Sequence, residues 1–187
     1  GCVTQTRIIA SVAGLETPSN SRFVKGFKKK KKKVNAFVIL LNQYLSDLND
    51  PVNGRQYGES FILQGADVIF GVGGQTGIGA LTAASHGKVK AIGVDVDQYL
   101  TLPEEVKRYL ITSAMKQVDV ATEQAIRDFV GKQLKTGIGY FTVANNGVGL
   151  APYHDWEDKM EWSCKQKVEE ARQGLAKGTI GNGVNKS

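Results

Sequence analysis

Along the first hundred residues, short apolar runs alternate with stretches whose apolar positions recur at helical spacing. Arg7–Ala13 (RIIASVA) reads as a strand ending at Gly14, and Ala36–Leu41 (AFVILL) as a continuous apolar strand of the doubly buried kind. Ala66–Phe70 and Val89–Val94 are two further apolar runs, the first rich in β-branched and aromatic residues, the second stopped by Asp95-Val96-Asp97. Between the strands, Pro18 or Ser19 opens a helix through Phe23, Gly26 and Phe27. Ser46–Gly54 reads as a polar loop leading to a helix through Ser60–Leu63, and Ala80–Ala84 as a third helix that His86-Gly87 ends. The alternation predicts a doubly wound α/β layer in which these four strands are neighbours and mainly parallel.

After Gln98 the pattern changes. Pro103–Glu105 predicts a helical turn and Tyr109–Ser113 a short strand. Val118, Ala121, Ala125, Ile126 and Phe129 recur at helical spacing, with Asp119 in the first turn. Gly137–Val143 reads as a strand, Asn145-Asn146-Gly147 as a turn, and Val148–Tyr153 as an extended segment kept off a central strand by Pro152. A last helix from about Asp155 carries Met160, Cys164, Val168, Ala171 and Leu175 on one stripe and ends at Gly178. The expected organisation is an α/β lobe over 1–113, a segment of helices and a hairpin over 114–178, and a flexible tail over 179–187.

The organising stretch is the glycine loop between the third and fourth strands. Gly71, Gly73, Gly74, Gly77 and Gly79 let backbone amides approach a ligand with no Cβ in the way. A loop at the carboxyl end of a strand, opening onto a helix N-terminus, is where such sheets bind ligands.

Composition adds little to this. An apolar fraction of 41% and a charged fraction of 22% are ordinary for a globular domain. The net charge of +6 is local, because removing the six lysines Lys28–Lys33 leaves 18 basic residues against 18 acidic ones. That run reads as a solvated helix end, so no nucleic-acid partner is expected. No apolar run approaches the roughly 20 residues that span a bilayer. The opening residues show no signal-peptide pattern. Gly1-Cys2 resembles the Gly-Cys junction of a lipoprotein, but cleavage there would leave Cys first. Cys2 and Cys164 make no metal or redox spacing, and two reduced thiols are expected rather than a bridge.

Two families share the glycine loop. Gly73–Gly79 (GGQTGIG) resembles the T-G-x-x-x-G-I-G loop of short-chain dehydrogenases, with Val72 where the Thr belongs. Those enzymes need Tyr-x-x-x-Lys, and here the fourth residue after each tyrosine is Leu48, Phe61, Pro103, Ser113, Ala144 or Glu157. Dehydrogenase chemistry therefore falls away, leaving dinucleotide binding as a minor alternative. His86 and His154 are the only histidines and read as surface or partly buried polar residues; no hydrolase, zinc or Walker motif appears.

The second family matches along most of the chain. Val12–Pro18 with Arg22-Phe23 and Gly26-Phe27 resembles G-G-x-x-x-P…R-F-x-x-G-F, and Asp50-Pro51…Gly54 resembles D-P-x-x-G. Gly65–Phe70, Gly73–Gly77 and Ile92–Gln98 resemble G-A-D-V-I-F, G-G-x-T-G and I-G-V-D-x-D-Q. Ile111–Ala121 resembles L-T-S-x-x-K-x-V-D-V-A, and Asn146–Tyr153 resembles G-G-V-G-L-A-P-[FY]. These blocks belong to the basic membrane protein family of substrate-binding lipoproteins, which includes purine nucleoside receptors. The resemblance implies one lobe of a type I periplasmic-binding-protein fold, with 114–178 as the return segment. It also implies a nucleoside-like ligand, no catalysis, no cofactor, an ABC transporter as partner, and an extracytoplasmic, membrane-associated location.

Carried onto this sequence, the family's ligand contacts fall at Gly73, Gly74, Gln75, Thr76, Asp95 and Lys116. A carboxylate accepting from vicinal hydroxyls and a lysine donating to them suit a ribose. The bland alternative is a cap for Asp95 and an exposed cation for Lys116. The family carries a further lobe before the segment matching Arg7, so the expectation is half a cleft. The second reading is an interaction subunit that keeps the lobe as scaffold. The apolar stripe of 116–129 should be covered by that lobe, a second copy or another polypeptide.

Overall fold

The computed structural model describes residues 1–34 and 37–181. Strand β1 (Ile8–Ala13) is followed by α1 (Pro18–Val34), β2 (Ile39–Tyr44), α2 (Pro51–Leu63) and β3 (Val68–Val72). Then come α3 (Gly74–His86), β4 (Lys90–Asp95), the single-turn α4 (Glu104–Lys107) and β5 (Leu110–Lys116). The chain ends with α5 (Val118–Val130), β6 (Val148–Leu150) and α6 (Trp162–Ala176). The strands form one sheet in the order β2-β1-β3-β4-β5-β6. The first five are parallel, and β6 pairs antiparallel with the end of β5. The four apolar runs of the first hundred residues are thus parallel neighbours, as their pattern requires.

Successive residues of a strand face opposite sides, and the two faces are covered by different helices. On one face Ala10, Val12 and Ile69 pack with Phe61 of α2 and with Ala80, Leu81 and Ala84 of α3. On the other, Ala13, Phe70, Val72 and Val94 pack with Phe23, Val24 and Phe27 of α1. Glycines bring α2 and α3 into backbone contact: a Cβ on Gly54 would lie 2.1 Å from the Thr76 carbonyl oxygen, and one on Gly79 2.1 Å from that of Pro51.

Several expectations need correction. The strand expected over Ala36–Leu41 runs over Ile39–Tyr44, and Ala36 itself lies outside the described residues. It is an edge strand with a single neighbour, so Ile39 is 55% exposed rather than doubly buried. Helix α2 begins at Pro51, inside the stretch read as loop, because Asp50 accepts from the Asn53 amide at 3.0 Å and Pro51 needs no amide partner at that position. Gly137–Val143 forms no strand. The edge of β5 that it would need is taken by β6, and unpaired strand backbone has nothing to gain over solvent. The last helix starts at Trp162, with His154–Trp156 forming a separate 3₁₀ turn.

The cysteines are not reduced thiols. Cys2 and Cys164 are joined in a disulfide with Cα atoms 5.9 Å apart. The sulfur of Cys164 sits in a small cluster with Ile111 and Met160, where α6 meets the segment leading into β1. Helix α5 buries none of its residues, and Phe129 is 71% exposed, so the stripe does not fold back on its own sheet. The lysine run closes α1. Residues 182–187 of the expected tail lie outside the described residues.

Candidate functional site

The carboxyl ends of β3, β4 and β5 meet the N-terminus of α3 at one edge of the sheet. Val72 ends β3, Gly73 caps the helix, and α3 starts at Gly74. Gly73 and Gly74 take φ of 83° and 62°, and a Cβ there would lie 2.7 Å from the Asn20 amide and 2.5 Å from the Leu48 carbonyl oxygen. Only glycine fits so tight a passage from strand to helix. Gly74 and Gln75 are exposed on the first turn of α3, where backbone N–H groups have no intrahelical partner.

Thr76, expected at this face, points elsewhere. It is fully buried, its hydroxyl donating to the Asp47 carbonyl at 2.7 Å and accepting from the Asp50 amide at 3.0 Å. Both capacities of the hydroxyl are spent tying the loop before α2 to α3. Gly73 is buried too and shapes the loop from behind.

Asp95 and Lys116 are brought together, since β4 and β5 pair with Asp95 opposite Met115. Asp95 takes φ of 69° at the end of β4. That region costs an ordinary L-residue about 1–2 kcal/mol, and Asp is among the few that visit it. Lys116 Nζ lies 2.6 Å from Asp95 Oδ1, with the two side chains 37% and 43% exposed. The ammonium approaches off the angle of a hydrogen bond, and the buried Oδ1 accepts none. The same Nζ lies 5.1 Å from the centre of the Phe23 ring on α1. The site therefore presents a half-exposed carboxylate paired with a half-exposed ammonium.

A cleft of about 150 Å³ is lined by Gly74, Gln75, Asp95, Val96 and Gln98, among others. It is smaller than the roughly 300–1,000 Å³ that sites for small molecules usually enclose. A larger cavity of about 490 Å³ lies at the opposite edge, before β4 and β5, among Lys88, Lys90, Arg108, Trp156 and Lys159. It holds none of the expected residues, whereas the smaller cleft lies at the carboxyl ends of the strands, where parallel sheets bind ligands.

One pair near the cleft was not read from the sequence. His154 Nε2 lies 2.8 Å from Asp97 Oδ2, both side chains being largely buried. The carboxylate can only accept, so Nε2 carries the proton of this bond. The imidazole stacks on Tyr99 at 4.0 Å, and the Tyr99 hydroxyl donates to Asp155 at 2.9 Å. That bond is the leading cause holding the Tyr99 phenol above its ordinary pKa. The partners lie 57 residues apart, and neither sits in a local motif.

A family model described as ABC transporter substrate-binding protein PnrA-like matches residues 1–181. The chain belongs to this family. It is 35% identical to an uncharacterized lipoprotein of Pyrococcus furiosus, over 75% of this chain and 37% of that protein. It is 32% identical to the CD4+ T-cell-stimulating antigen of Listeria monocytogenes, over 96% of this chain and 53% of that protein. The ABC transporter nucleoside-binding protein BmpA of Lactococcus lactis is 25% identical, over 95% of this chain and 53% of that protein. This PnrA-like chain thus spans about half, or less, of the length of the curated relatives it matches.

Solved structures agree on the fold. A transcriptional activator of the comK gene from Bacillus halodurans superposes with a TM-score of 0.83 at 17% identity, over 96% of this chain and 59% of that one. An ABC transporter solute-binding protein from Conexibacter woesei gives 0.77 at 19%, over 95% and 57%. The PnrA-like chain has the mainly parallel α/β layer of a periplasmic-binding-protein lobe. No helix among the described residues is long and apolar enough to cross a membrane.

Proposed function

We propose that this chain is the ligand-facing lobe of a non-catalytic solute-binding protein for nucleosides, serving an ABC transporter from outside the cytoplasm. The observation that carries the reading is the Asp95–Lys116 pair: a half-exposed carboxylate 2.6 Å from a half-exposed ammonium, beside a helix N-terminus. Vicinal ribose hydroxyls would donate to Asp95 and accept from Lys116, while Gly74 and Gln75 supply amides. Gly73 and Thr76 act from behind, as supports of the loop. Membership of a substrate-binding family and a nucleoside-binding relative support this ligand class. The disulfide supports an oxidising compartment, where such bonds form and persist.

A second reading, in which the lobe is an interaction scaffold, draws on α5. Val118, Ile126, Phe129 and Val130 are all more than half exposed on that helix. In either reading a further lobe, a second copy or another polypeptide covers it. Calorimetry with inosine, guanosine and adenosine on the native full-length product separates the two. Heat of binding that is lost in Asp95→Ala is expected; silence for all three nucleosides favours the scaffold.

A further inference from the structure

The turn between β4 and α4 follows directly on Asp95, and it is held by two separate sets of ties. The first set comes from the sheet and from the turn itself. Gln98 Oε1 accepts from the Val94 amide at 2.8 Å, the Ser113 hydroxyl accepts from the Gln98 amide at 3.2 Å, and the Val96 amide donates to the Val94 carbonyl at 2.9 Å. The second set comes from beyond β6. Asp97 uses one carboxylate oxygen to accept from the Tyr99 amide at 3.2 Å and the other to accept from His154. Asp155, the next residue, takes the Tyr99 hydroxyl. Two neighbouring residues thus grip one turn at two points, His154 on Asp97 and Asp155 on Tyr99.

Two of these residues share a backbone feature. Asp95 and His154 both take left-handed φ, 69° and 45°. Such conformations persist where the surroundings over-determine them. The strand that leads to His154 also pairs with the strand that bears Lys116, Val148 lying opposite Lys116 itself. The return segment therefore reaches both neighbourhoods: β6 pairs with Lys116, and His154 bonds Asp97, two residues beyond Asp95.

We propose that His154 is a positioning residue for ligand binding: through Asp97 it fixes the turn that keeps Asp95 directed at Lys116. The inference rests on the reading of Asp95 as the ligand acid. Two measurements on the full chain test it, one needing no ligand. Without ligand, His154→Ala should speed amide exchange at Val96 and Tyr99 by roughly tenfold, with β1 and β3 amides unchanged. His154→Gln, whose side-chain amide donates from the place of Nε2, should restore protection. With inosine, His154→Ala should bind roughly tenfold more weakly and His154→Gln should recover most of that loss. Unchanged exchange at Val96 and Tyr99 in His154→Ala overturns the proposal. So does exchange raised throughout β1 and β3, which would make His154 a support of the whole fold. If the unaltered protein binds no nucleoside, the nucleoside reading fails by itself, and exchange alone decides the role of His154.

Discussion

Replacing Asp95 by glycine and by alanine should abolish the proposed nucleoside binding in both cases yet separate the two variants in stability. Either change deletes the pair with Lys116. Both side chains are more than a third exposed, so solvent screening leaves that pair worth about 0–1 kcal/mol. The backbone decides the rest. At φ of 69° an alanine Cβ meets the left-handed penalty of about 1–2 kcal/mol, whereas glycine meets none. Glycine in turn gives the unfolded chain more freedom, which costs about 0.5–1 kcal/mol. Asp95→Gly should therefore be the more stable of the two by roughly 1 kcal/mol, about 2–4 °C in Tm for a chain of this size. It should also lie within about 1 kcal/mol of the unaltered protein, since relief of strain works against loss of the ion pair. Urea denaturation of the three proteins side by side measures this directly. If Asp95→Ala matches or exceeds Asp95→Gly, residue 95 is not held in the left-handed region and the account of strain at the site is wrong.

Gly79→Ala tests the contact of α2 with α3: the new Cβ would meet the Pro51 carbonyl oxygen at 2.1 Å. Overpacking of about 1–3 kcal/mol should outweigh the roughly 1 kcal/mol of helix propensity gained, and a variant as stable as the unaltered chain in urea would refute this. Ile126→Asp with Phe129→Asp should abolish association of the chain through α5 while leaving its stability within about 0.5 kcal/mol, since both residues are exposed. Sedimentation velocity reads the first effect, and a clean monomer of the unaltered chain at micromolar concentration, with Phe129 buried inside it, would remove the idea. Replacing Lys28–Lys33 with Gln should not alter the association state. Changing Cys2 and Cys164 together to Ser should cost about 2–5 kcal/mol in a melt. Alkylation of either thiol in the folded, unreduced chain would show that the bridge is not formed.

The sequence makes the first half of this molecule legible because parallel strands declare themselves as compact apolar runs. Val68–Phe70 and Ile92–Val94 need no context to be recognised. The start of α2 was legible too, through Asp50 before Pro51, though the polar stretch around it reads more readily as loop. Other features depend on partners that no local pattern names. Gly137–Val143 has strand-like residues but pairs with no strand, and β2 has an apolar pattern but only one neighbour. Thr76 sits in the glycine-loop motif while its hydroxyl serves the loop behind it. The His154–Asp97 bond and the Cys2–Cys164 bridge join residues far apart in the chain, where spacing carries no signal.

The bridge between Cys2 and Cys164 has a topological consequence. With its two cysteines 162 positions apart, the bridge closes residues 2–164, all six strands among them, into one covalent ring. A ring must be cut twice before it releases a piece. Residues 131–142, exposed throughout between α5 and β6, lie inside that ring and are the natural place for a protease to strike. A single cut there would leave both portions covalently attached, so the nicked molecule would keep its full mass until a thiol reductant was added. The carboxyl ends of β4 and β5, on one side of the cut, would stay joined to β6 and His154 on the other.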